Sequence, residues 1–556
     1  MGAYYGIDLG TTQCLVAQFW RNPITEEDEL TCLINPRTGE IELPSVVSFL
    51  SDSQYVTGMD ALSRLYKVPD STVELVKVRL GNTKTIPVVI PGSGKVEKSP
   101  QEIASLLLKS LKETRGAQID SALLTVPAFF NQSQREATKQ AGTLAGIDTE
   151  NQIMIEEPTA AIIYQIYEEY RLNGDTFLKD LKKGENILVF DFGGGTLDLS
   201  IVKVSCNEDA VESEVLDHGG DPNLGGNVID FLLTGFILRK LNKKYPKDPD
   251  VREAAEAFKP YLERYLRDHV LRFDEGVSDH VKQNIFITKR YAEECKIRLT
   301  DAESVKVRSP FPKCEPFDLS RHDFEIAVLN NEKLNLRERI EDTLDQIAEK
   351  GVPLHRVLLV GGSSQIPYIR EIIRKAFDSF GIVDEKITPS HNCMRAVVLG
   401  AAIQQALRKG ESVMPFRNNY CRNIVARDIL LGCGKDQLKL FVKSGKVYPF
   451  AQDEEEMIVI PHALSENVSF ALYERIREGK EETNRLISTY EYYLPLYYTG
   501  EMIFVHLNIG DDGLYQVSAV YAPTHEKVYF ETKKENMLTD QQMDRAEKRV
   551  ASMNLA

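Results

Sequence analysis

Two glycine-bearing bends, about 180 residues apart from Asp8 to Asp191, constrain this chain more than any other feature. The first is Gly6-Ile7-Asp8-Leu9-Gly10-Thr11-Thr12-Gln13, and the second is Asp191-Phe192-Gly193-Gly194-Gly195-Thr196-Leu197-Asp198. Each lies between apolar runs that read as strands, so stretches 1–20 and 186–204 both read as strand, tight turn, strand. This internal echo predicts two similar lobes facing one another. Three consecutive glycines cost backbone entropy in a hairpin, and close passage of a phosphate chain is a reason to keep them. Amide hydrogens pointing into such bends form an anion cradle, to which Thr11, Thr12 and Thr196 add hydroxyls. Two such loops across a cleft would grip a phosphate chain from both sides. Asp8, Asp191 and Asp198 would then surround its cation, since Mg²⁺ takes a few carboxylates along with water and phosphate oxygens. Taken alone, the first bend also reads as a plain hairpin; the second favours phosphate.

To about Gly410, short apolar strands alternate with amphipathic helices such as Glu102–Thr114 and Ser133–Ala145, an α/β pattern. Residues 166–184 are polar and read as a surface excursion. A third strand–turn–helix unit, Arg356–Phe377, contains Val360-Gly361-Gly362-Ser363-Ser364, a weak signal alone. The P-loop GxxxxGK[ST] is absent, which excludes that ATPase architecture. Pro415 and a polar cluster break the pattern at 411–423. Beyond it, Gln437–Val442, Glu456–Ile460, Ile503–Asn508 and Leu514–Val520 alternate in the manner of an all-β domain. Leu538–Met553 reads as a helix with Thr539 and Asp540 as caps. The expected division is 1–410, a linker at 411–428, a β-domain at 429–536 and a short helical end at 537–556.

At 556 residues the chain is long enough for two or three domains. Its net charge of -16 argues against nucleic acid and anionic membranes as partners, because both need a basic surface. No run of 18 apolar residues suggests a membrane span. The N-terminus enters a strand directly, without a secretory pattern, and position 6 lacks the Ser or Thr of a myristoylation signal. The eight cysteines, Cys14, Cys32, Cys206, Cys295, Cys314, Cys393, Cys421 and Cys433, show no CxxC spacing. They read as reduced thiols of a cytoplasmic protein.

Seven motifs occur in a recognisable order: IDLGTT, TVPAFFNQSQREATKQAG (125–142), EEPTAA (156–161), FDFGGGTLDLS (190–200), NLGG (223–226), EECKIRLT (293–300) and LLVGGSSQIP (358–367). Over roughly residues 1–410 the chain resembles the ATPase domain of the 70 kDa heat-shock (DnaK-like) chaperones. The resemblance implies an actin-like α/β ATPase domain of two lobes, then a β-sandwich and one short C-terminal helix in place of a long lid. It implies slow hydrolysis of ATP to ADP with Mg²⁺, and K⁺ as a further candidate ion. Thr11, Thr12 and Gln13, with Gly10, match its first phosphate loop. Gly193, Gly194, Gly195 and Thr196 match the second, and Asp8 and Asp191 match its metal-facing carboxylates. Lys77, four residues before Gly81, matches the catalytic lysine, and Val78 stands where the family has an arginine. Glu157, Asp191, Thr196 and Asp198 complete the implied catalytic set. Gly225 and Gly226 match a diglycine near the nucleotide. Glu293, Lys296 and Thr300 match the adenosine-side helix, and Gly361, Gly362 and Ser363 match the adenosine loop. Pro127 and Arg135 match residues that relay the nucleotide state.

Departures from the family gather at the nucleoside end. Gln365 replaces an arginine that can stack on adenine, position 297 is Ile, Met394 replaces an aspartate, and Val228 replaces an acidic residue. DDGLYQVSAVY (511–521) resembles a strand of the client-binding sandwich. Ile424-Val425-Ala426-Arg427-Asp428 is the nearest match to the apolar linker, and Arg427 is expected to hinder its docking. The implied function is an ATP-dependent chaperone of protein folding and the stress response. Its expected partners are unfolded or extended polypeptides, a J-domain co-chaperone and a nucleotide-exchange factor. The alternative is a nucleotide-binding regulatory or exchange-factor-like relative that acts as an interaction protein.

Overall fold

The computed structural model describes residues 2–556 except 23, 26, 83, 129, 149–153, 208–209, 269–270, 272, 349–350, 379–381, 433–437, 452–455, 460–464, 479–480, 498–501, 522–529 and 535–536. Phe129, Cys433, Gln437 and Ile460, which carry expectations above, lie outside the described residues, as does the Cys421 side chain. The six described cysteines are free thiols. Among the described residues no helix is long and apolar enough to cross a membrane.

The two bends open two sheets of like order. In the first, Tyr4–Leu9 lies antiparallel to Gln13–Arg21, which lies antiparallel to Asp28–Cys32. On its other side Tyr4–Leu9 runs parallel to Ala122–Val126, and that strand parallel to Met154–Glu156. In the second sheet Glu185–Phe192 takes the same place, antiparallel to Leu197–Asn207 and then Ala210–Asp221. It runs parallel to Arg356–Val360, which runs parallel to Ile387–Pro389. The strands buried on both faces are near-continuous apolar runs, as burial under covering helices requires.

Helices Glu157–Asn173 and Ala396–Arg408 pack between the sheets. Their apolar residues share one buried core with Leu15, Ala17 and Phe19 of the first sheet and Ile187 and Val189 of the second. A Cβ on Gly400 would lie 1.7 Å from the Ala160 carbonyl oxygen, so this crossing is open only to glycine. The close crossing anchors the helix that starts at Glu157.

The chain from Phe416 onward returns to both lobes. Phe416–Ile424 adds a parallel strand to the second sheet beside Ala210–Asp221, and Val447–Tyr448 pairs with it in turn. Further on, Ile429–Gly432, Leu438–Val442, Ser465–Glu478, Glu481–Tyr497 and Phe530–Lys534 form one sheet. Phe450–Ala451, Glu456–Val459, Met502–Ile509 and Tyr515–Tyr521 form another. Leu431, Phe470 and Leu472 of the former share a core with Ile503, Val505 and Leu507 of the latter, a sandwich arrangement. Helix Asp540–Ser552 starts on a Thr539–Gln542 capping box. It lies against the first lobe, where Val550 and Met553 join the core and Arg549 pairs with Glu102 at 2.7 Å.

Arg427 does not stand unpaired in its apolar stretch. It lies 3.5 Å from the buried carboxylate of Glu474. That partner lies 47 residues away in sequence, which local reading cannot supply.

Candidate active site

The loops from the two lobes touch at their glycines. A Cβ on Gly195 would sit 2.3 Å from Thr11 Oγ1, and one on Gly225 would sit 2.4 Å from the Gly195 carbonyl carbon. The Gly226 and Asn227 amides donate to the carbonyls of Gly193 and Gly194 at 3.0 and 2.8 Å. Ser363 Oγ donates to Gly193 O at 2.9 Å. Gly361 adopts φ +78°, which places it against Phe192 O and Asp191 Oδ1. Thus Gly10–Gln13, Gly193–Thr196, Gly225–Gly226 and Gly361–Ser363 converge on one locus, although they are scattered along the chain.

The carboxylates lie at the sheet ends nearest this locus. Asp191 and Asp198 face each other directly in the antiparallel ladder, and Thr196 Oγ1 donates to Asp198 Oδ2 at 2.6 Å. Asp8 Oδ1 accepts from Thr125 Oγ1 at 2.6 Å. Lys77 Nζ meets Glu157 Oε1 at 2.5 Å, with both residues buried.

Burial pushes the Glu157 carboxyl up to about 7, and the charges of Asp8 and Asp198 push the same way against the pull of Lys77. Asp191 is raised well above its ordinary range by burial and by Glu157, Asp198 and Asp8. Burial works against the Lys77 ammonium, yet Glu157, Asp8 and Asp198 outweigh it and hold its pKa up. Four carboxylates around one lysine leave an excess of buried negative charge, and a divalent cation fits that excess. Among the described residues no three His, Cys, Asp or Glu side chains are placed to ligate one ion directly. A hydrated Mg²⁺ needs no such set.

The other expected residues lie further along. Lys296 Nζ donates to Gly226 O at 3.2 Å and pairs with Asp230 Oδ2 at 2.8 Å, which ties helix Asp279–Arg298 to the diglycine. Burial raises Asp230 to about 7, against Lys296 and with Glu293. Thr300 and Gln365 border a cavity of about 670 Å³ together with Arg370, whose guanidinium donates to Gln365 Oε1. Ile297 and Met394 stand 60% and 54% exposed. The expected residues therefore form a dense group at the loops and a sparse group at the helix end. Arg135 reaches away from both, pairing with buried Glu156 at 2.7 Å, and Tyr448 donates to the same carboxylate at 2.9 Å.

Sequence reading missed Thr125, Asp230 and Glu156. Asp230 falls one helical turn after Gly226, so spacing could have flagged it, whereas Thr125 stands in the TVPAFF motif with no local sign of its link to Asp8. Glu156 opens the EEPTAA motif, which was its one signal.

The family model described as Hsp70 protein matches residues 4–267 and 256–555. Chaperone protein DnaK of Mycoplasma mobile is 31% identical over 73% of this chain and 58% of its own length. Chaperone protein DnaK of Mycoplasmopsis synoviae is 30% identical over 73% and 58%. Chaperone protein dnaK of Cyanophora paradoxa is 30% identical over 74% and 61%. The chain thus matches less than two thirds of the length of these relatives.

Proposed function

This chain belongs to the Hsp70 family, and from that premise we propose that it binds Mg·ATP between its two sheets, hydrolyses it slowly, and couples this to binding of unfolded or extended polypeptide. The observation that carries the reading is the buried Lys77–Glu157 pair, set beside Asp8, Asp191 and Asp198 where the glycine loops converge. Phosphoryl transfer to water asks a protein mainly for positioning and charge neutralisation. The loop amides and the hydroxyls of Thr11, Thr12 and Thr196 would hold the phosphates. Asp8 and Asp191 would hold hydrated Mg²⁺, which neutralises phosphate charge when bound. Lys77, fixed by Glu157, would present a cation to the developing charge on the transferred phosphoryl group. Glu157 and Asp198 would orient the attacking water and accept its proton. Glu293, Lys296, Thr300 and Gly361–Ser363 would line the nucleoside side.

Two features support a link to polypeptide binding. Strand Tyr515–Tyr521 pairs with Met502–Ile509, and main-chain pairing of an extended peptide along this sheet is the proposed mode of binding. Strand Phe416–Ile424 lies in the second sheet, and Asn423 Oδ1 accepts from Thr159 two residues after Glu157. A J-domain protein and an exchange factor are the proposed co-chaperones. The test is steady-state ATP turnover with and without an unfolded peptide. Mg²⁺-dependent turnover raised by peptide supports the reading, and turnover indifferent to every unfolded peptide would remove the chaperone part of it.

A further inference from the structure

We propose that the cavity lined by Asp70, Glu74 and Arg79 of the first lobe and Tyr261, Phe273 and Phe286 of the second is a separate small-molecule site, selective for a monoanion with a flat apolar body. Its volume is about 690 Å³, enough for a small organic ligand. One wall is aromatic: Tyr261 stacks on Phe273 at 4.2 Å, and Phe286 meets Phe273 edge-on at 5.8 Å. Tyr261 and Phe286 are buried within that wall, and the half-buried Phe273 is the ring left to meet a planar body.

Among the cations that line the cavity, Lys84 and Lys95 are exposed to solvent, and the buried Lys282 is matched. Lys282 pairs with Asp70 at 2.6 Å, and Lys289 donates to both oxygens of Glu74 at 2.7 Å. Thr85 donates to Glu97 at 2.6 Å. Arg79 is different. Its side chain makes no hydrogen bond or ion pair among the described residues, and its Nε is buried without a partner. The carboxylate it feels most, Glu74, is committed to Lys289. A guanidinium has five donors in a planar fork that suits a carboxylate bidentately, and burying one without an acceptor is costly. An anion in the cavity removes that cost, and the aromatic wall accounts for the shape the anion must have.

The proposed nucleotide chemistry makes no use of Arg79. It shares the short turn Lys77–Arg79 with Lys77, but Lys77 is bound to Glu157 while Arg79 lines the cavity. The site does not rest on the nucleotide reading.

The test is calorimetric titration of the full chain with 2-naphthoate, with and without saturating Mg·ATP, for the wild type, Arg79→Met and Arg79→Gln. Circular dichroism would confirm that each variant is folded, and Arg79→Gln carries the test if Arg79→Met does not fold. The expected result is one site per chain, at least tenfold weaker in the neutral variants and unchanged by nucleotide. The variants should also melt no lower than wild type, since they remove a half-buried guanidinium whose Nε has no partner. No binding at millimolar naphthoate, equal affinity in the folded variants, or stoichiometric displacement by ATP would each overturn the proposal.

Discussion

Where the glycine loops converge, Gly194 and Gly195 lie against the Thr12 and Thr11 side chains, Gly225 lies against the Gly195 backbone, and a Cβ at Gly195 or Gly225 would overlap a neighbour. At the helix end of the same cleft, Ile297 and Met394 stand exposed, and Gln365 is held by Arg370 beside an open cavity. The first region has little freedom to vary at Gly194, Gly195, Gly225 and Gly361, where an added Cβ would meet a neighbouring loop. The second has room and few mutual contacts. That contrast fits the expectation from the sequence that departures from the family gather at the nucleoside end.

The largest effect expected from breaking this contrast is at Lys77. Lys77→Ala should lower kcat by about a hundredfold or more, the scale of removing one preorganised electrostatic contact. ATP affinity should stay within about tenfold, because the contact strengthens in the transition state. Pre-steady-state hydrolysis and equilibrium binding would separate the two. Gly195→Ala should come next. Forcing a methyl group into such a contact costs about 1–3 kcal/mol, so Mg·ATP should bind about ten- to a hundredfold more weakly. Affinity unchanged in that variant would mean that the loops part easily and that the contrast is overstated.

The nucleoside end should respond far less. Gln365→Arg offers a guanidinium to the base and should tighten ATP by about 0.5–1 kcal/mol, or about two- to fivefold. The gain should be absent for tripolyphosphate, which has no base. The new arginine must also replace the hydrogen bond that Gln365 accepts from Arg370, which limits the benefit. An equal gain for tripolyphosphate would show simple charge attraction.

The smallest effect is in stability. Glu157 is raised to about 7, above its ordinary 4.5, and Asp191 is raised as well. The folded chain therefore holds these protons more tightly than the unfolded chain. Their contribution is fully present below the unfolded pKa and is lost as pH rises through about 7. Without Mg²⁺ or nucleotide, this contribution should lower the melting midpoint between pH 5 and pH 7.5. Glu157→Gln should flatten part of that slope by a few degrees, as should Mg·ADP. Parallel melting curves for wild type and Glu157→Gln would contradict the assignment.

What could be read in the sequence follows the same division. Glycine bends are legible because the backbone conformation and close approach they permit are local properties, so both loops and the matching order of the sheets were within reach. Partners supplied from elsewhere were not. Nothing near Asp8 indicates that Thr125 holds it, and nothing near Arg427 points to Glu474. The segment Phe416–Ile424 reads as irregular because Pro415 and polar residues break its pattern. Its pairing with Ala210–Asp221 is decided by an open sheet edge, which local periodicity cannot encode.

The most direct test of the account is single-turnover hydrolysis of ATP by the full chain in Mg²⁺ and in EDTA. The cluster of Asp8, Glu157, Asp191 and Asp198 around Lys77 predicts slow conversion to ADP and phosphate in Mg²⁺ and a loss of that activity on chelation. Equal rates in both conditions, or no hydrolysis in Mg²⁺ while ATP is bound, would contradict it.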